Sequence, residues 1–158
     1  MLKCLVIQPG AYGDILVCAP IAKYYSDNGY DVYWPITNKF MSMLSRLDYV
    51  KPILLDDRTL DSDWLRSDVI KCTELINNKI IEPDLILNLA ERGGYNVFPL
   101  TYGNFEQRKY EYASVPFEYK NTLKWTRNIE KENSLYELLV DDENYIFAHL
   151  ESSRGDVA

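Results

Sequence analysis

The sequence predicts an α/β fold: a Rossmann-like three-layer domain with a mainly parallel sheet. Short apolar runs alternate with longer segments whose apolar residues recur every three or four positions. The runs are rich in β-branched and aromatic residues, and glycine or proline punctuates their ends. Strands separated by helices imply parallel pairing and right-handed crossovers.

Leu2–Gln8 is an apolar run closed by Pro9-Gly10, as suits a strand buried in a parallel sheet. Residues Gly13–Asn28 follow with helical spacing (Ile15, Ala19, Ala22, Tyr25), and Gly29 is placed to end that helix. Pro20 removes a donor within it, so the expectation is a kink, or a turn with the helix restarting at Pro20. Tyr30–Ile36 is the second strand. Thr37 or Asn38 can cap a short helix through Leu47, with Phe40, Met43, Leu44 and Leu47 on one face. Val50–Leu55 is the third strand. Asp61–Ile81 reads as a long helix with an apolar stripe of Trp64, Leu65, Val69, Cys72, Leu75 and Ile76. Asp84–Ala90 is the fourth strand, Phe105–Ala113 and Thr122–Leu139 are helices, and Asn144–Leu150 is a last strand. Asp141-Asp142-Glu143-Asn144 is the best linker, which divides the chain into a domain at 1–143 and a short segment at 144–158.

A length of 158 residues and a 47% hydrophobic content suit one domain with an ordinary core. The formal net charge of -7 argues against nucleic acid or an anionic membrane as bulk partner, because the overall field repels phosphate. Cys4, Cys18 and Cys72 are odd in number and far apart, with no C-x-x-C pair. They read as reduced buried thiols. The N-terminal apolar run meets Pro9-Gly10 too early for a signal peptide, and no run is long enough to span a membrane. The expectation is a cytoplasmic protein. Tyrosine, at 13 residues, could stack on sugars, but composition does not assign that role.

The first turn carries the chemistry: Gln8-Pro9-Gly10-Ala11-Tyr12-Gly13-Asp14 leads into Ile15-Leu16-Val17-Cys18-Ala19-Pro20. Glycines allow a sharp turn and a close approach to the backbone. The helix that follows presents free N–H groups and the positive end of its dipole. In a parallel sheet this turn opens onto the crevice where ligands bind. A dinucleotide-binding turn would show G-x-G-x-x-G and an acidic residue after the second strand. Here the glycines are spaced G-x-x-G and the second strand ends in Pro35-Ile36-Thr37-Asn38, which counts against a nicotinamide or flavin enzyme.

The stretch Val6–Pro20 resembles the opening of the heptosyltransferase family of glycosyltransferases: a strand, a glycine-containing turn, a Gly-Asp pair, an apolar stretch and a proline. Asp84-Leu85-Ile86-Leu87-Asn88-Leu89 is similar in character to that family's fourth strand. The resemblance implies the N-terminal, acceptor-binding domain of a two-domain GT-B glycosyltransferase. It implies inverting sugar transfer from a nucleotide-sugar to a glycan or lipopolysaccharide-type acceptor, with neither a metal nor a cofactor. Asp14 occupies the position of the family's catalytic base, and Gly10, Ala11, Tyr12 and Gly13 would line the acceptor site. A carboxylate within reach of an acceptor hydroxyl can remove its proton. An aspartate at a helix start also has an ordinary account in capping and dipole terms.

Other candidates are weaker. Arg92 and Gly93, after the fourth strand, would reach the same crevice, where Arg92 could fork onto a phosphate or carboxylate; a solvated loop is the plainer account. Gln107-Arg108-Lys109 adds positive charge at a helix start, with an exposed helix face the plainer account; His149 reads as a structural histidine rather than a catalyst, and Tyr12 as either a sugar platform or packing over the turn. Ser152 and Ser153 loosely resemble a donor-phosphate loop of the family's second domain; a loose terminus is the simpler account. The sequence ends where that second domain would start. The expectation is therefore that transfer needs a donor-binding domain or partner subunit, or a homo-oligomer that lodges the last strand. The alternative expectation is a non-catalytic Rossmann-like module that binds a ligand or protein.

Overall fold

Alternate residues of the first apolar run face opposite ways, and both faces are buried. Leu2–Ile7 forms β1. Cys4 and Val6 enter one apolar cluster, while Leu5 and Ile7 enter another. A strand covered on both sides is the central element of a three-layer domain. The computed structural model describes residues 1–55, 64–90 and 105–139.

Helix α1 (Tyr12–Asp27) leads to β2 (Tyr30–Thr37), α2 (Asn38–Leu44) to β3 (Lys51–Leu55), and α3 (Trp64–Asn77) to β4 (Leu85–Asn88). Helix α4 (Phe105–Tyr112), a 3₁₀ turn (Phe117–Thr122) and α5 (Ile129–Leu139) follow. The four strands form a parallel sheet in the order β3-β2-β1-β4. The β1–β4 register pairs Cys4 with Leu85 and Ile7 with Asn88. The first cluster gathers Ile15, Cys18 and Ala22 of α1, Phe40 and Leu44 of α2, and Tyr110 of α4. The second gathers Val69 and Cys72 of α3. Both sets follow from handedness. The two crossovers that step from β1 outward to β3 put their helices on one face. The step from β3 back to β4 reverses direction and puts α3 on the other. That reversal makes the gap between β1 and β4 a topological switch point.

The four described strands fall within two residues of their sequence-predicted bounds. Helix α1 runs unbroken through Pro20 rather than restarting there. Pro20 is buried with Cys18, Ala19, Ile21 and Ala22, and that burial outweighs a lost hydrogen bond. Gly29 ends this region at φ 88, with its N–H on the Ser26 carbonyl at 3.0 Å. The helix expected over Thr122–Leu139 is shorter. The Thr126 N–H bonds the Arg46 carbonyl at 3.1 Å, and the helix starts only after Asn128, whose Oδ1 accepts the Lys131 N–H at 2.9 Å. Residues Met1–Thr126 form one compact unit, and a second begins at Arg127. The linker, the 143/144 boundary and the strand at Asn144–Leu150 lie outside the described residues.

Candidate functional site

The turn between β1 and α1 is pinned at three successive carbonyls. The Gln8 carbonyl accepts the buried Trp34 Nε1–H at 2.8 Å. The Pro9 carbonyl accepts the Thr37 N–H at 3.4 Å. The Gly10 carbonyl accepts Gln8 Nε2 at 2.8 Å. Ala11 then takes φ 68 and ψ 118, a left-handed conformation that costs a residue with a Cβ. It stands at the start of α1, where no side chain caps the helix. The first-turn N–H groups therefore lack an acceptor from the N-cap side chain. A Cβ added to Gly13 would meet no atom within 4 Å, so the helix start is open beside it.

Asp14 sits in this first turn but does not cap it. Its Oδ1 instead accepts Lys109 Nζ of α4 at 2.9 Å. The Asp14 side chain keeps 28% of its exposure, while that of Lys109 keeps 0%. The same ammonium donates to Gln8 Oε1 at 2.9 Å and to the Leu89 carbonyl at 2.7 Å. A lysine ammonium has three protons, and here each has its own acceptor. Its nitrogen also lies 4.6 Å from the centre of the Phe105 ring. Burying such a charge is costly unless it is paired and fully hydrogen-bonded, and this one is both. Gln8 follows β1 and Leu89 follows β4, so Lys109 ties the ends of these two strands together at the switch point, with Asp14 the more exposed partner.

Of the residues singled out from sequence, Gly10, Ala11, Tyr12, Gly13 and Asp14 come together at this turn. Tyr12 is 53% exposed and rests edge-on against Phe40 at 4.8 Å, with Lys39 Nζ 6.0 Å from its ring. Arg92, Gly93, His149, Ser152 and Ser153 lie outside the described residues. The expectation for Lys109 is corrected: it is a buried centre of the site, not part of an exposed face. The signal was present, because Phe105, Lys109 and Ala113 recur at every fourth position and Ala113 is core. Gln8 was also missed. A glutamine ending an apolar strand is a buried polar group that needs partners. Thr37 does not cap α2 with its side chain, and its Oγ1 is buried without a hydrogen-bond partner among the described residues.

Four tyrosines outside this turn pack against one another. Tyr24, Tyr25, Tyr30 and Tyr119 meet edge-to-face at centroid separations of 5.2–5.5 Å. Cys4, Cys18 and Cys72 are buried free thiols, and burial pushes Cys4 and Cys72 up to about 12, which makes them poor nucleophiles. Among the described residues no group of three or more His, Cys, Asp or Glu stands close enough to hold a metal ion, and no helix is long and apolar enough to cross a membrane. No protein-family model, curated protein or solved structure matches this chain.

Proposed function

We propose that this domain is the acceptor side of a metal-independent, inverting sugar transferase in which Asp14 is the general base. One observation carries the reading: a partly buried carboxylate at the start of α1, beside the switch point, with one oxygen anchored and Oδ2 without a hydrogen-bond partner among the described residues. The resemblance of Val6–Pro20 to the heptosyltransferase opening supports it, as does the parallel sheet that such a domain requires.

The acceptor hydroxyl gives its proton to Asp14 Oδ2 while its oxygen bonds to the anomeric carbon of the donor. The bond from that carbon to the diphosphate oxygen breaks on the opposite face, and the diphosphate leaves with the electron pair. The uncapped N–H groups of α1 and the space beside Gly13 leave room for the acceptor. Holding the nucleotide-sugar falls to a second domain or chain, since positioning both reactants supplies much of the rate. A lipopolysaccharide-core-type oligosaccharide titrated into the ¹⁵N-labelled chain should shift the amides of residues 10–15. Asp14→Asn should keep that binding and abolish transfer once a donor-binding domain is supplied. Absence of those shifts at saturating sugar, or normal transfer by Asp14→Asn, would reject the proposal.

The second reading, a non-catalytic binding module, draws on the completeness of the Lys109 cluster, which satisfies itself without a ligand. It predicts binding of a ligand or protein with no turnover under any supplied donor domain.

A further inference from the structure

We infer that Lys109 is a positioning residue for the Asp14 carboxylate, an inference that rests on the base role proposed above. A carboxylate at a surface turn ordinarily samples several rotamers, and each carries its two oxygens to different places. Here Oδ1 meets an ammonium that cannot follow it. Lys109 Nζ is held by Gln8 Oε1 at 2.9 Å and by the Leu89 carbonyl at 2.7 Å, and its stem is buried. Gln8 cannot yield either, because its amide nitrogen is bound to the Gly10 carbonyl at 2.8 Å and its own carbonyl to Trp34. The ends of β1 and β4 therefore fix the ammonium, and the ammonium fixes Oδ1. Oδ2 is the oxygen left to meet an acceptor hydroxyl. A base must lie within hydrogen-bond reach of the proton it takes, so the Lys109 anchor sets which oxygen acts and where.

The experiment is side-chain NMR on the full chain. In the wild type the Lys109 ammonium should give a slowly exchanging ¹⁵Nζ signal, and three-bond couplings should place Asp14 in one χ1 rotamer. Lys109→Met should lose that single rotamer while amide shifts in β2, β3 and α3 stay put. Lys109→Arg, which keeps a buried donor and charge, should restore it in part. A single Asp14 rotamer retained in folded Lys109→Met would overturn the inference. Should that variant not fold, a fast-exchanging ammonium or an averaged Asp14 rotamer in the wild type would overturn it equally. If the wild type shows the locked rotamer but binds no sugar, the transferase reading fails while the anchoring of Asp14 stands.

Discussion

Removing the Asp14 carboxylate strands the Lys109 ammonium, whose side chain is fully buried. Asparagine keeps a hydrogen-bond acceptor there but not the charge. Breaking a buried pair on one side costs about 3–5 kcal/mol, and Asp14→Asn should fall near the low end because Asp14 reaches solvent. Adding Lys109→Met should cost less than the sum of the two single changes, with a coupling of about 1–3 kcal/mol from urea midpoints. Additive costs would mean that the pair seen at 2.9 Å contributes nothing. Ala11 is the other residue with a specific cost. Its φ of 68 suits glycine, so Ala11→Gly should raise stability by about 1 kcal/mol despite glycine's extra freedom in the unfolded chain. A loss in the urea midpoint would show that the turn is not strained.

Among the elements, α4 shows most plainly what can be read from sequence. Its existence and bounds follow from spacing, and residues 105–113 against Phe105–Tyr112 is a close match. Its orientation is harder to read, because a lysine suggests a solvated charge although this one lies in the row from Phe105 to Ala113. Only the assembled sheet shows three acceptors converging on it. The segment after α4 was misread for a related reason. The Thr126 N–H finds the Arg46 carbonyl 80 residues earlier in the chain, a partner that no local pattern announces. The strands were easier, since a sheet covered on both faces writes itself as unbroken apolar runs. Beside α4, the Tyr25 hydroxyl of α1 donates to the Ala113 carbonyl at 2.6 Å. Tyr25→Phe should lower stability by about 1 kcal/mol, as measured by chemical denaturation, and an unchanged midpoint would show that water replaces that bond freely.

At the scale of the molecule, Cys4, Cys72 and several phenols shift in one direction. Burial raises Cys4 and Cys72 from 9.0 to about 12, and it raises Tyr25, Tyr49 and Tyr110 above the ordinary 10.0. The hydrogen bond to Asp27 raises Tyr119 to about 12. The folded state holds these protons after the unfolded chain has released them. Their contribution is therefore complete below the unfolded values and is lost as pH rises through the folded ones. The urea midpoint should hold near about pH 8 and fall steadily between about pH 9 and 12. Cys4→Ala, which removes one such thiol, should make that fall shallower. A midpoint flat across the window would mean that these groups are accessible in the native state.

The arrangement around Lys109 also sets an order of assembly. Its acceptors lie 101, 95 and 20 residues away along the chain. The ammonium can shed its water without a large penalty only after all three have gathered, so the latch closes late, once the first and fourth strands have met. Interactions made after the folding barrier govern how fast a protein opens, not how fast it forms. Lys109→Met should steepen the loss by speeding unfolding in stopped-flow experiments, with the refolding limb nearly unmoved. A slowed refolding limb would place the latch in the nucleus instead.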